Sequence, residues 1–406
     1  MSSATVSTDS PTTSSPASAG ATLAAVRELP PEIMARAAEI EQARRLPADL
    51  LQKLIGAGCF RLVLPASHGG AGASLAEAMR VFETLSRADA SVGWTVMIGA
   101  GSWCDLAGLP RATFDALFGG GNDVITAGAF APTGTATPVD GGYRVSGRWA
   151  FVSGCEHATW IFGNTMEQPG PDGSDGAAGP GDGPPNMRMV VFPPDQVEIE
   201  DTWDVSGLRG TGSHHVRADD VFVPAARTLA MLEDEPCIDE PVVRIPPPTM
   251  YSLTVASVAL GTARGAIDDI MELAADKVPL LDHAPLAGSV PFQIDLALAD
   301  TRLRAASALA YELADELWAC AVEASPVSPE QRARTRAAAV WATSEAVEAV
   351  TTAYRAAGGS SLYAGSPLQR RLRDVNAVTQ HFLVKPATLV TAGAVLAGQD
   401  VDLTVF

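Results

Sequence analysis

A chain of 406 residues is long enough for two or three domains and a sizeable core, and a net charge of −19 excludes the basic surface that nucleic-acid binding needs. Apolar residues make up 47% and aromatics 6%, with alanine abundant, which favours close-packed helices over an aromatic-rich β protein. The five cysteines are scattered and odd in number, so they frame neither a disulfide scaffold nor a zinc site; no basic start with an apolar run marks a signal peptide, and no apolar stretch is long enough to cross a bilayer. A reducing cytoplasm fits this usage.

Residues 1–21 are Ser, Thr, Pro and Ala almost without charge, and are expected to be a disordered tail. Residues 22–123 read as helical. Pro47-Ala48-Asp49 starts a helix that Gly56-Ala57-Gly58 ends, Ser74 with Glu77 forms a capping box, Ala90 opens an apolar helix, and Pro110 starts a last short one. Over 124–227 the period changes to two. Asp140-Gly141 makes a hairpin turn, and strands are expected at 124–129, 142–146, 149–153, 160–165, 187–192 and 197–201. His214–Val216 and Val221–Pro224 complete the set. The Gly/Pro/Asp run at about 168–186 reads as a mobile surface loop. Residues 228–406 are helical again, with helices expected over about 249–276, 292–322, 328–357 and 366–397, which read as a four-helix bundle. The fold class is therefore α+β, mostly α: an N-terminal helical domain, a central β-barrel or sandwich, and a C-terminal four-helix bundle.

Three phrases carry a family likeness: Leu51 to Gly70, Gly147 to Trp160, and Asp201 to Pro224. On these, and on the order of elements, the chain resembles the acyl-CoA dehydrogenase superfamily, and more narrowly its flavin-dependent monooxygenase branch, the oxygenase halves of two-component hydroxylases. The carboxylate base of the dehydrogenases falls here at Phe382, which accepts no proton, and the helix that carries an alternative base has no acid before Asp268. Lys277-Val278-Pro279-Leu280-Leu281 stands where dehydrogenases place the Arg-x-x-Phe-Gly phrase that binds FAD pyrophosphate. The resemblance thus implies reduced FMN, or FAD, delivered by a separate reductase, O2 as co-substrate, and a flavin C4a-hydroperoxide that hydroxylates an aromatic, phenolic or polyketide-like small molecule. N-oxygenation of an amine or amino sugar, acyl-CoA dehydrogenation and a non-catalytic flavin-binding role are the alternatives. The resemblance also implies a homotetramer; no nucleic acid, membrane or metal enters this reading.

The same likeness places Ser153 against flavin N5, where a hydroxyl controls the proton whose loss ejects peroxide. Phe151, Val152, Ser153 and Gly154 then contact the cofactor, with Arg209, Thr211 and Ser213 of the Gly-rich loop as further donors and Arg244 as a candidate for the phosphate. His381 is the candidate acid or base, since an ordinary imidazole titrates near the working pH. Strand alternation puts Phe151, Ser153, Cys155 and His157 on one face, and His157, about 13 Å along, is read as structural. Asp374, seven residues before His381 on an unbroken helix, would share its face at about 10 Å; Arg373 and Asp374 are read as bundle salt bridges. Many relatives carry a substrate-facing His in the N-terminal helices. Gly99-Ala100-Gly101-Ser102-Trp103 lacks it, so Trp94 and Trp103, with Phe382, are expected to wall an aromatic substrate.

Overall fold

The computed structural model describes residues 18–119, 124–169, 186–231, 233–404 and 406. The N-terminal helices are α1 (Ala19–Val26), α2 (Pro30–Ala35), α3 (Ala37–Ala43), α4 (Ala48–Gly56), α5 (Leu75–Ala88), α6 (Ala90–Gly101) and α7 (Arg111–Phe118). Ser18 caps α1 by accepting the Ala21 N–H, so order begins before the expected end of the tail; residues 1–17 lie outside the described residues. At α5 the capping box is formed, with Ser74 Oγ taking the Glu77 N–H and the Glu77 carboxylate taking the Ser74 N–H.

The central segment is one seven-stranded sheet: β1 (Thr126–Val139), β2 (Gly142–Val152), β3 (Trp160–Glu167), β4 (Met187–Phe192), β5 (Glu198–Glu200), β6 (His214–Pro224) and β7 (Thr228–Ala230). Their order is β5-β6-β2-β1-β3-β4-β7, with β1 and β3 parallel and the other pairs antiparallel. Val139 pairs with Gly142 across the expected Asp140-Gly141 turn, where Gly141 has φ +76°. Strands expected as separate pieces prove continuous: β1 runs on to Val139, β2 spans both halves through two register shifts, and β6 joins His214 to Pro224. Trp149 explains part of the glycine content. Its indole N–H donates to Asn164 O at 2.7 Å, and its ring lies where a Cβ on Gly147 or Gly163 would come within 2.4–2.8 Å of it. Residues 170–185 of the expected loop lie outside the described residues.

The C-terminal helices are α8 (Pro247–Asp276), α9 (Val290–Val322), α10 (Pro329–Ala357), α11 (Pro367–Val378) and α12 (Thr388–Leu396). The first three agree with the expected spans. The fourth expected helix, 366–397, is broken: α11 stops at Val378, a 3-10 turn covers Phe382–Val384, and α12 begins only at Thr388. Pro386 accounts for the restart, because a residue before proline is pushed out of the helical region, and Lys385 sits at φ −71°, ψ 143°. The break puts His381 in the connection between helices instead of on a continuous face with Asp374.

α11 ties the parts together through its Arg-Arg-Leu-Arg-Asp phrase. Arg371 Nε donates to Asp269 Oδ2 of α8 at 2.6 Å, and its Nη1 donates to Arg87 O at the end of α5. Arg373 binds Glu41 of α3 and Ser206 O, and Asp374 Oδ1 accepts the Leu208 N–H at 2.7 Å. These are cross-domain ties where bundle-internal salt bridges were expected. Arg371 and Asp269 are both buried. Arg371→Met should therefore lower the unfolding free energy by about 3–5 kcal/mol, because it leaves Asp269 unpaired in the core, and adding Asp269→Leu should recover most of the loss. Denaturant titration of the two variants checks this.

Candidate active site

The site begins with a helix cap. Asp89, buried at φ −154° and ψ 125°, accepts the Ser91 and Val92 N–H groups and starts α6. Arg370 Nε of α11 stands 3.8 Å from its carboxylate. One turn on, α6 carries Trp94. The indole N–H donates to Ser153 Oγ at 3.0 Å, while the indole ring makes a T-shaped contact with the His381 ring at 5.4 Å between centroids. Trp94 thus joins the two residues that the resemblance singled out, which lie on different domains and more than two hundred positions apart.

Ser153 is held by a sharp reversal at the end of β2. Phe151 has φ +64° and Gly154 φ +73°, and the Ser153 N–H folds back onto Phe151 O at 3.0 Å. The alternation expected through His157 therefore ends at Val152. Cys155–His157 is a 3-10 turn, and His157 Nε2 accepts the Leu46 N–H at 3.2 Å, a structural tie to the helical domain. A positive φ at a phenylalanine is strained, and here it turns the ring outward. Phe151 is 69% exposed beside Trp203 and His215, each 6.2 Å away between centroids. Trp203 is itself fixed, because its indole N–H donates to Leu208 O and its backbone N–H, with that of Thr202, donates to His214 Nδ1.

The Gly-rich loop packs against this reversal. Gly154 N–H donates to Thr211 O at 2.8 Å, Ser213 Oγ is 2.7 Å from Ser153 Oγ, and Thr211 Oγ1 is 2.7 Å from Ser213 Oγ. Gly210 is required because a Cβ there would come within 2.3 Å of Ile40 on α3. Arg209 turns away from Ser153 and spends its donors on Asp204, Val205 O and Glu41 O. Arg244 is likewise engaged, by Asp239 and Ala321 O at the end of α9. Trp103 packs into the N-terminal core against Phe114, with ring centroids 6.1 Å apart. The structure thus gathers Trp94, Ser153, Gly154, Thr211, Ser213, His381 and Phe382, turns Val152 into the sheet core, and leaves Arg209, Arg244 and Trp103 outside the cluster.

Burial sets the charges here. His381 is pushed down to about 4, first by desolvation and then by the Arg336 and Lys385 cations, so its imidazole is neutral at physiological pH and does not titrate near the working pH as the sequence alone suggested. Its Nδ1 is closed off from solvent without a hydrogen-bond partner. Phe382 follows at 4.9 Å between ring centroids and is 53% exposed. Asp374 is pushed upward by burial and by the neighbouring Asp89. A second, half-buried pair escaped the sequence reading. Tyr251 O–H lies 2.7 Å from Asp105 Oδ2, whose pKa burial pushes up to about 7, and the Tyr251 ring is 6.3 Å from that of Phe130 on β1. An isolated acid inside the apolar run 99–109 was the signal for it.

Similarity to known proteins agrees with this geometry. The acyl-CoA dehydrogenase N-terminal domain family matches residues 21–107, and the C-terminal domain family matches residues 253–386. An indole-3-acetate monooxygenase of Pseudomonas putida is 31% identical over 366 residues, covering 90% of this chain and 91% of its own. The flavin-dependent monooxygenase oxygenase subunit HsaA of Rhodococcus jostii is 33% identical over 362 residues, covering 86% and 91%. The chain belongs to the acyl-CoA dehydrogenase superfamily, in its flavin-dependent monooxygenase branch. Among solved structures, XiaF from Streptomyces in complex with FADH2 and glycerol superimposes with a TM-score of 0.86 at 26% identity, covering 94% of this chain and 96% of that one.

The residues present fit a flavin. An outward aromatic ring on a strained backbone offers a flat surface to an isoalloxazine, and Ser153, one residue beyond the adjacent Val152, retains a free acceptor site beside it. Among the described residues no group of three or more His, Cys, Asp or Glu side chains could hold a metal ion.

The depressed His381 pKa has a defined sign. Between its folded value of about 4 and the ordinary 6.5, the unfolded chain binds the proton that the folded one refuses. Stability from this group is therefore complete above pH 6.5 and is lost as pH falls toward 4. Asp105, raised to about 7, acts with the opposite sign in an overlapping range, so the test is a difference. The Tm of the wild type minus that of His381→Gln should fall as pH drops from 6.5 to 4; a difference independent of pH would contradict the assignment.

Proposed function

We propose that this chain is the oxygenase component of a two-component monooxygenase, receiving reduced FMN or reduced FAD from a separate reductase and hydroxylating an aromatic, phenolic or polyketide-like small molecule. The observation that carries this reading is the Trp94 indole, which brings Ser153 and neutral His381 into one site. The names of the relatives support it: HsaA is an oxygenase subunit, and a resorcinol hydroxylase oxygenase component of Rhizobium is FADH2-dependent and 31% identical.

The bound reduced flavin would supply two electrons and the activation of O2. The protein's own groups would do the rest. Ser153 would hold the N5 proton by accepting it in a hydrogen bond, which prevents wasteful release of peroxide. His381, held neutral, would accept a hydrogen bond from a substrate hydroxyl, which polarises the O–H and makes the ring a stronger nucleophile as oxygen is transferred. The exposed Phe382 beside it would cover the substrate, and the phenyl at this position cannot perform the proton abstraction of a dehydrogenase. Phe130 and Tyr251 would form the far wall, with Asp105 as the polar group at its end. Closing these walls excludes water, which favours oxygen transfer over hydrolytic side reactions.

Self-association belongs to the same proposal. Leu280 and Leu281 are 92% and 90% exposed between α8 and α9, and Val290 and Ile294 on α9 are exposed as well. Such a patch favours burial against another copy, in keeping with a homotetramer. No helix among the described residues is long and apolar enough to cross a membrane, and a cytoplasmic site of action is proposed with the rest.

Two substitutions test the roles. Ser153→Ala should raise the peroxide released per O2 consumed several-fold while substrate still binds. His381→Ala should lower product formation by about 10²-fold, the scale on which a misplaced substrate loses rate. Product and peroxide yields, measured with a heterologous reductase and a panel of phenols, decide the matter. Unchanged coupling in both variants, or turnover of an acyl-CoA thioester with an artificial electron acceptor, would contradict the proposal.

A further inference from the structure

We infer that Trp94, Ser213 and Thr211 are positioning residues that lock the Ser153 hydroxyl into a one-way hydrogen-bond chain, so that toward a flavin it can only accept, and the site thereby selects reduced over oxidised flavin. This rests on the reading that a flavin binds at Ser153, and it names how the site tells the two redox states apart.

The chain has four gaps. Trp94 Nε1 to Ser153 Oγ is 3.0 Å, Ser153 Oγ to Ser213 Oγ is 2.7 Å, Ser213 Oγ to Thr211 Oγ1 is 2.7 Å, and Thr211 Oγ1 to Leu208 O is 2.8 Å. Both ends have a fixed sense. An indole N–H only donates and a carbonyl oxygen only accepts. Two oxygens do not sit 2.8 Å apart without a proton between them, so the Thr211 hydroxyl donates to Leu208 O. Having one proton, Thr211 must then accept from Ser213, and Ser213 must in turn accept from Ser153. Four protons fill four gaps, and no other assignment leaves every gap bonded. Ser153, Ser213 and Thr211 are all buried, so water is poorly placed to relieve a reversed chain.

Ser153 is left with its proton committed to Ser213, one lone pair taken by Trp94 and one lone pair free. That lone pair suits an N–H donor. Reduced flavin carries a hydrogen on N5 and oxidised flavin carries a lone pair there, which would face the Ser153 lone pair. Turning the Ser153 proton toward oxidised flavin would empty the gap to Ser213, at the cost of about one buried hydrogen bond. The chain thus biases the site toward the reduced cofactor before any oxygen chemistry begins, and it leaves oxidised flavin weakly held for exchange.

The test is an equilibrium measurement. Wild type, Ser213→Ala, Thr211→Val and Ser213→Thr are titrated anaerobically with oxidised and with photoreduced FMN, and again with FAD, and the ratio of the two dissociation constants is taken. The wild type should favour reduced flavin by roughly tenfold or more. Ser213→Ala and Thr211→Val free the Ser153 proton and should cut that ratio by roughly tenfold, equivalent to about 30 mV in the potential of the bound two-electron couple. Ser213→Thr retains the hydroxyl and should keep the wild-type ratio, which a merely structural effect on folding would not distinguish. Equal affinity of the wild type for both redox states, or a ratio unchanged in both Ser213→Ala and Thr211→Val while flavin still binds, overturns the chain. Binding of neither FMN nor FAD in either state by the wild type overturns instead the flavin site on which the chain rests.

Discussion

A single indole holds the two halves of this site in register, its N–H on Ser153 and its ring against His381. Trp94 cannot donate to Ser153 unless α6 lies against the end of β2, and it cannot face His381 unless the connection after α11 returns to the same helix. The interaction is modest in energy, about 1 kcal/mol for a neutral hydrogen bond. Its importance is geometric: it converts the packing of three domains into the relative position of a hydroxyl and an imidazole. The strained Phe151 and the reversal at Gly154 belong to the same constraint, since an ordinary strand would have carried Ser153 past the indole.

Around that contact, buried charge is used for placement. Asp89 caps α6 and faces Arg370, Arg371 pairs with Asp269, and Asp374 takes the Leu208 N–H at the head of the Gly-rich loop. One five-residue phrase of α11 therefore fixes the helix that carries Trp94, the long helix α8, and the loop that carries Thr211 and Ser213, and His381 follows three residues after α11 ends. Buried ion pairs contribute little net stability compared with well-packed apolar groups, but removing one partner is severe. That asymmetry suits parts that must stay in one arrangement.

Much of the fold was legible because it is written locally. The capping box at Ser74, the Asp140-Gly141 turn and the three long C-terminal helices follow from neighbouring residues. Ser153 and His381 were singled out through family likeness alone, and folding brings both to Trp94. What was missed depends on distant partners or on exceptions to a local rule. Alternation predicted Phe151 and His157 on one face, whereas a positive φ at Phe151 and a left-handed Gly154 redirected the chain. The continuous pattern over 366–397 concealed a stop after Val378, for which Pro386 was the available signal. Arg209, Thr211 and Ser213 were read alike as cofactor donors because sequence does not reveal that Arg209 meets Asp204 while the two hydroxyls meet each other. Trp94 and Trp103 were read alike as substrate walls, and only folding separates the one at Ser153 from the one against Phe114.

The most direct test of this account is a crystal structure of the protein with bound flavin. The account predicts the isoalloxazine against Phe151, with N5 at hydrogen-bonding distance from Ser153 Oγ, the Trp94–Ser153 bond intact, and His381 facing the open side of the ring system. A flavin bound elsewhere, or one at this site with N5 turned away from Ser153, would contradict it.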